Sequence, residues 1–95
     1  MSRSPRLLLD GSSIESETDL HSALADLLGF FDGYGRNLDA LRDVLADEDL
    51  REVKGPVEVL WTHGAKFAKD HPDCYIKVRR LFAEAPGPIR LIVAL

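Results

Sequence analysis

The chain has 95 residues, enough for one modest core, and its hydrophobic and charged contents of 45% and 29% are ordinary for a soluble globular protein. The net charge of −4 argues against nonspecific nucleic-acid binding, which needs lysine and arginine facing phosphates. The single cysteine, Cys74, excludes an internal disulfide and favours a reducing compartment. Because no apolar run is long enough for a membrane span or a signal-peptide core, we expect a cytoplasmic protein that does not bind membranes.

The N-terminal third of the chain predicts a strand and a helix. Residues 1–5 are expected to be a disordered tail, followed by a single domain over residues 6–95. Residues 6–10 contain three consecutive leucines before an Asp-Gly turn and predict a short strand. Leucines at helical spacing predict a helix from about Asp19 to Leu28, with Thr18 as its N-cap.

The middle of the chain predicts a loop, a second helix and an acidic connection. In the aromatic loop of residues 30–35, Gly33 and Gly35 are expected to permit a positive φ and a close backbone approach. Asn37 is predicted to cap the second helix. Its inward stripe is expected to consist of four apolar side chains, Leu38, Leu41, Val44 and Leu45. Residues 46–55 are expected to form a polar, acidic connection.

The C-terminal half predicts two more strands with helices between them. Residues 57–61 read as the second strand, residues 62–71 contain one short helix, and Pro72 falls in the first turn of the last helix. Residues 89–95 read as the third strand. Strands that are apolar on both faces and separated by helices predict a buried parallel sheet with right-handed crossovers. The expected α/β fold has three parallel strands flanked by about four helices.

Acidic residues are concentrated in one part of the chain. The stretch from Asp32 to Glu52 holds seven acids and three bases, so it alone matches the net charge of the whole chain. Asp39 and Asp43 are four residues apart and are expected to share the outward face of the second helix. This pattern has two interpretations, an ordinary solvated face or a surface that attracts a cationic partner.

Catalysis, metal binding and phosphate binding have weaker support in the sequence. Cys74 lies near His71 in sequence, but nothing predicts the oxyanion hole that a catalytic cysteine needs, so a buried thiol is the favoured interpretation. The cysteine and the three histidines, His21, His63 and His71, are the candidate metal ligands. Among them, only His71 and Cys74 are spaced closely enough in sequence to form a tight pair of ligands. The loop before the second helix lacks the lysine of a phosphate-binding loop. We therefore predict no catalytic residue, no metal and no cofactor.

One segment resembles a known protein family. The pattern Tyr34-Gly35-x-Asn37-Leu38-Asp39-Ala40-Leu41-x-Asp43 is similar to the signature of barstar, a family of intracellular ribonuclease inhibitors. Looser similarity is found at three further segments, Asp19-Leu20-His21, Pro56 to Trp61 and Phe82-Ala83-Glu84-Ala85. The resemblance spans about Arg6 to Leu95 and implies a barstar-like fold that agrees with the periodicity.

The resemblance also implies a function without catalysis. It implies a 1:1 complex with a secreted microbial ribonuclease of the barnase-like, guanyl-specific class, with no direct nucleic-acid binding. Asp43 would be the chief mimic of an RNA phosphate, and Asp39 and Glu84 would be supporting carboxylates. Tyr34 would be a stacking or packing contact and Asn37 a polar contact. The expected partner-binding set is completed by Gly33, Gly35, Leu38, Arg42 and Asp47.

Three positions depart from the family pattern and leave two other hypotheses open. Gly33 stands where the family has an aromatic residue, Arg36 where it has an acid, and Arg42 where it has a tryptophan. The two arginines favour a ribonuclease with an acidic group at the rim of its cleft. They also favour a second hypothesis, a barstar-fold binding module or immunity protein for another toxin or a non-nuclease partner. A third hypothesis is a small enzyme that uses Cys74 with a histidine.

Overall fold

The computed structural model describes residues 5–94, and their helices and strands follow the order βααβααβ. The strands are β1 (Arg6–Asp10), β2 (Val57–Thr62) and β3 (Ile89–Val93). The helices are α1 (Glu17–Leu28), α2 (Leu38–Ala46), α3 (Ala65–Asp70) and α4 (Pro72–Glu84), with two 3-10 turns at Gly11–Ser13 and Glu48–Leu50. Residues 1–4 of the predicted tail, and Leu95 of the predicted third strand, lie outside the described residues.

The three strands form a parallel sheet in the order β1-β2-β3, which confirms the predicted α/β fold and its parallel pairing. Leu8 is aligned with Leu60, and Leu60 is aligned with Ile92. Right-handed crossovers between strands in sequential order place both helical connections on the same face of the sheet. Within residues 5–94, the other face therefore has no helix over it.

Burial along the strands agrees with this one-sided arrangement. Val57, Val59 and Trp61 point to the helices and are fully buried, whereas the alternate residues of β2 are half-buried. On β1, Leu8 is 60% exposed. The prediction of a sheet buried on both faces is thus wrong, because sequential strand order leaves one face uncovered.

The uncovered face carries a row of charged side chains beside its apolar row. Arg6, Glu58 and Arg90 are aligned across the three strands. The distance from an Oε atom of Glu58 to the guanidinium is 3.3 Å for Arg6 and 4.0 Å for Arg90. These exposed pairs contribute little to stability, about 0–1 kcal/mol each.

Helix α1 begins two residues earlier than predicted, because Ser16 and not Thr18 is its N-cap. The Ser16 hydroxyl accepts a hydrogen bond from the Asp19 N–H at 3.0 Å, and the Asp19 carboxylate accepts one from the Ser16 N–H at 3.2 Å. This capping box satisfies free backbone amides at the start of the helix. The helix ends at Gly29, whose φ of 66° is the left-handed conformation that glycine adopts at low cost.

The core lies between the helices and the covered face of the sheet. Trp61 is fully buried at its centre, and its ring centroid is 5.4 Å from that of Phe67 and 5.7 Å from that of Tyr75. Side chains of this size each contribute roughly 1.5–3 kcal/mol when fully buried. Among residues 5–94, no helix has the length and apolar composition needed to cross a membrane.

Candidate functional site

Helix α2 presents its acidic side chains from a well-fixed N-terminus. The Asn37 side chain accepts a hydrogen bond from the Ala40 N–H at 2.8 Å, which confirms the predicted N-cap, and its amide donates to the Gly35 carbonyl at 3.3 Å. The predicted inward residues Leu41, Val44 and Leu45 are buried, and Leu38 is half-buried.

The opposite side of α2 and the C-cap residue that follows it form an acidic face, which we define as Asp39, Asp43 and Asp47. All three residues are exposed. Within the described part of the chain, no arginine, lysine or histidine nitrogen lies within 4.0 Å of their carboxylates. Asp47 also caps the following 3-10 turn, because its Oδ1 accepts from the Asp49 N–H at 3.0 Å. The three carboxylates of the acidic face are therefore exposed and form no ion pair with the described residues.

The two arginines that depart from the family pattern lie near this face without forming ion pairs with it. Arg36 is exposed, and its Nε donates to the Ser22 hydroxyl of α1 at 3.1 Å. Arg42 is exposed on α2 itself. The site is consequently acidic with two positive charges at its margin.

Tyr34 lies beneath the surface and not on it. Its side chain is only 9% exposed, and its hydroxyl lies 2.5 Å from Nδ1 of the buried His21. Its ring packs edge-on against Phe30, with 4.7 Å between the centroids. Burial raises the pKa of the Tyr34 phenol and lowers the pKa of His21. The contacts of Tyr34 are thus internal to the chain, and its role toward a partner stays a prediction.

Gly33 and Gly35 of the loop allow close contacts and do not adopt an unusual backbone conformation. The predicted positive φ at Gly33 and Gly35 is wrong, because the positive φ of this segment, 50°, occurs at Arg36. A Cβ atom on Gly33 would lie 2.8 Å from the Phe31 ring, and one on Gly35 would lie 3.2 Å from Nδ2 of Asn37. Both glycines let neighbouring side chains approach the backbone closely.

Phe31 is an exposed aromatic residue that sequence reasoning did not single out. Its side chain is 43% exposed, and its N–H donates to the Leu50 carbonyl at 2.9 Å, which fixes the loop. The signal in the sequence was the pair Phe30-Phe31. Phe30 packs inward on Tyr34, so its neighbour is left at the surface beside Asp32.

Arg51 holds the C-terminal end of α2 from inside the protein. This residue is 3% exposed, and its guanidinium donates to the Val44 and Leu45 carbonyls and, at 3.0 Å, to the Val53 carbonyl. Burial lowers the pKa of Arg51. The connection of residues 46–55 is acidic as predicted, but the composition gave no sign that its arginine would be buried.

The remaining predicted residues lie as follows. Glu84 is exposed at the end of α4, the helix that packs against α2. Cys74 is buried, and burial together with the charge of Glu17 raises its pKa to about 12, so the thiol stays protonated at neutral pH. Nε2 of His71 lies within hydrogen-bond distance of the Glu15 carbonyl, at 3.0 Å. Residues 5–94 contain no group of three or more histidine, cysteine or acidic side chains arranged to hold a metal.

Comparisons with known proteins found a family and a relative. The family model described as Barstar (barnase inhibitor) matches residues 5–89. A curated protein of Bacillus subtilis (strain 168), named "Putative ribonuclease inhibitor YrdF", is 50% identical to the chain over 40 residues. The matched segment covers 42% of this chain and 44% of that relative, so the similarity extends over less than half of the relative's length.

Proposed function

Because the chain belongs to the barstar family, we propose that it is a stoichiometric inhibitor of a secreted microbial ribonuclease, acting as a 1:1 complex in the cytoplasm. The observation that carries the proposal is the exposed, unpaired carboxylates of Asp39 and Asp43 on a helix that is held at both ends. This function requires no catalytic residue and no cofactor.

The inhibition follows from the charge of the substrate. A ribonuclease cleft binds anionic RNA and is therefore lined with cationic side chains. Carboxylates fixed where RNA phosphates would lie form charge-assisted hydrogen bonds with those cations and exclude the substrate. The inhibitor itself has no need to bind nucleic acid.

Each residue of the site has a proposed role. Asp43 is the chief phosphate mimic, and Asp39, Asp47 and Glu84 are supporting carboxylates. The exposed ring of Phe31 supplies an apolar anchor, since aromatic residues are enriched in the buried centres of protein interfaces. The remaining residues shape the loop or its margin: Gly33, Tyr34, Gly35, Asn37, Leu38 and Arg42.

Two arginines at the margin of the acidic face, Arg36 and Arg42, bear on which class of ribonuclease is the target. Arg36 and Arg42 would repel a uniformly basic cleft, because like charges brought together in an interface oppose binding. We propose a guanyl-specific, barnase-like ribonuclease that carries at least one acidic residue at the rim of its cleft. The same two arginines favour the second candidate function, a barstar-fold immunity protein for another toxin or a non-nuclease partner.

Asp43→Ala tests the assigned mechanism. Against the best-inhibited member of a panel of small secreted microbial ribonucleases, we expect this variant to lose about 2–5 kcal/mol of binding free energy, because a cation of the enzyme is left buried and unpaired. The control Asp26→Ala removes an exposed acid from α1 and should inhibit as the parent chain does. Inhibition constants from a fluorogenic RNA substrate provide the measurement.

Two outcomes would count against the proposal in different ways. If Asp43→Ala inhibits as strongly as the parent chain, the phosphate-mimic role of Asp43 is wrong. If no ribonuclease of the panel is inhibited and affinity capture from the source cell recovers only non-nuclease proteins, the second candidate function replaces the first.

A further inference from the structure

A basic groove lies between α4 and β3 and uses none of the residues of the acidic face. We define the β3 groove as the space of about 820 Å³ lined by Ile76, Arg79, Arg80, Phe82, Ala83, Ala85, Gly87, Pro88, Ile89, Arg90 and Leu91. Two of these residues, Arg79 and Arg80, are arginines of α4, and none is acidic. The third arginine, Arg90, belongs to the charged row of the uncovered face, where it lies 4.0 Å from Glu58. Such a concentration of positive charge is unexpected in a chain whose net charge is −4.

One wall of the β3 groove is an unpaired strand edge. β3 pairs with β2, where Val57 N–H donates to the Pro88 carbonyl and Ala94 N–H donates to the Trp61 carbonyl. Since backbone groups alternate along a strand, Leu91 and Val93 direct their N–H and C=O groups away from β2. Within residues 5–94, no other strand pairs with this edge.

The other wall is one side of α4. Ile76, Arg79, Arg80 and Ala83 follow the spacing that places residues on a single helix face. Ile76 is 52% exposed, although it is a large apolar side chain. In the described part of the chain, no carboxylate lies within 4.0 Å of the guanidinium of Arg79 or Arg80. The wall thus combines an apolar contact with two uncompensated positive charges.

We propose that the β3 groove binds an extended acidic peptide segment of a partner protein as a fourth strand of the sheet. The segment would form main-chain hydrogen bonds with Leu91 and Val93, which is the usual mode of strand addition to a free edge. Its carboxylates would face Arg79 and Arg80, and its alternate apolar side chains would contact Ile76. A second copy of this chain is disfavoured as the occupant, because pairing two β3 edges would bring their arginines together.

The probe is a capped synthetic peptide of alternating glutamate and valine, added to the full chain labelled with ¹⁵N. We expect saturable binding in which the Leu91 and Val93 amides become protected from hydrogen exchange. A matched peptide with N-methylated internal amides keeps every charge but cannot donate main-chain hydrogen bonds. This matched peptide should bind at least about tenfold more weakly.

Variants of the chain test the electrostatic half of the proposal. Arg79→Ala combined with Arg80→Ala should weaken binding of the peptide by about tenfold or more, because two charge-assisted contacts are lost. Lys69→Ala, which removes an exposed charge from α3, should leave peptide binding unchanged. Circular dichroism checks that each variant is folded.

Three results would overturn the proposal. The first is equal binding of the N-methylated peptide. The second is displacement of the glutamate-valine peptide by single-stranded RNA at equal charge concentration, which would make the groove a general anion site. The third is protection of Leu91 and Val93 by self-association in the absence of peptide, which analytical ultracentrifugation would detect. None of them bears on inhibition by the acidic face, so the two proposals fail separately.

Discussion

At the scale of single residues, the contact between His21 and Tyr34 ties α1 to the loop before α2. His21 is 2% exposed and lies thirteen positions before Tyr34. The sequence marked Tyr34 as an important aromatic residue but gave no reason to place it inside. Its position depends on a hydrogen-bond partner from another helix, and such long-range pairing leaves no local pattern.

Tyr34→Phe should lower the free energy of unfolding by about 1–3 kcal/mol, because the buried Nδ1 of His21 loses its hydrogen-bond partner. The measurement is urea unfolding followed by tryptophan fluorescence. Tyr75→Phe is the matched control, since Tyr75 is half-buried and its hydroxyl has no hydrogen-bond partner among the described residues. Equal stability of Tyr34→Phe and the parent chain would show that the contact contributes nothing.

The same contact predicts a pH dependence of stability. Burial lowers the pKa of His21 below its ordinary value of 6.5, while the charge of Glu17 acts in the opposite direction and Arg36 lowers it further. The unfolded chain therefore binds a proton first as the pH falls, and the contribution of His21 to stability is lost progressively below about pH 6.5. We expect the free energy of unfolding to decrease between about pH 7.5 and pH 5.

His21→Gln should flatten this pH dependence, whereas His63→Gln, which changes an exposed histidine, should preserve it. Urea unfolding at a series of pH values measures both. A slope that persists in His21→Gln would assign the titration to another group.

At the scale of elements, α2 is fixed at its N-terminus by a predicted residue and at its C-terminus by an unpredicted one. Asn37 before a run of helical spacing is a recognisable start signal, and it does cap the helix. Arg51 is different, because a charged residue in an acidic connection is normally read as exposed. Only the packed structure shows that its guanidinium bonds the last carbonyls of α2.

Arg51→Met should cost about 2–4 kcal/mol of unfolding free energy, since the carbonyls at the end of α2 lose charged hydrogen bonds in a buried place. Hydrogen exchange at the amides of the last turn of α2 should accelerate as well. The control is Lys69→Met, an exposed change of the same kind on α3. Unchanged exchange in α2 would mean that Arg51 does not fix this end of the helix.

The limits of sequence reasoning are also visible in α1 and in the sheet. Ser16 and Thr18 are both good cap residues, and the choice between them depended on the reciprocal bond with Asp19. The strands were recognised from their apolar composition, but composition does not give strand order. Strand order decides that one sheet face is covered and the other is not.

At the scale of the whole molecule, acidic and basic side chains lie on separate surfaces, and the net charge of −4 describes neither surface. The acidic face and the basic β3 groove belong to different elements, so the two proposed partners would bind separate surfaces. The negative net charge led to the prediction of an acidic surface, and it gave no sign of the two arginines that α4 presents to the groove. Folding brings Arg79 and Arg80 to the β3 edge, since Leu91 is eleven positions beyond Arg80 in the chain.

Salt should act mainly on the rate of encounter with the target ribonuclease. Opposite fields accelerate association, and ions screen exposed charges, so we expect raised salt to slow association at least about tenfold. Dissociation should change by less than about threefold, because close contacts are screened little. Stopped-flow mixing and competition experiments give the two rates. Equal effects on both rates would contradict long-range attraction by the acidic face.

The bare side of the sheet has a consequence for the protein in concentrated solution. An apolar row on this face consists of Leu8, Leu60 and Ile92. By itself this row would favour stacking of the sheets of two molecules. The row of Arg6, Glu58 and Arg90 runs alongside that apolar row, and stacking would strip these ions of their hydration. We therefore expect this charged row, which contributes little to folding stability, to oppose aggregation through the uncovered face.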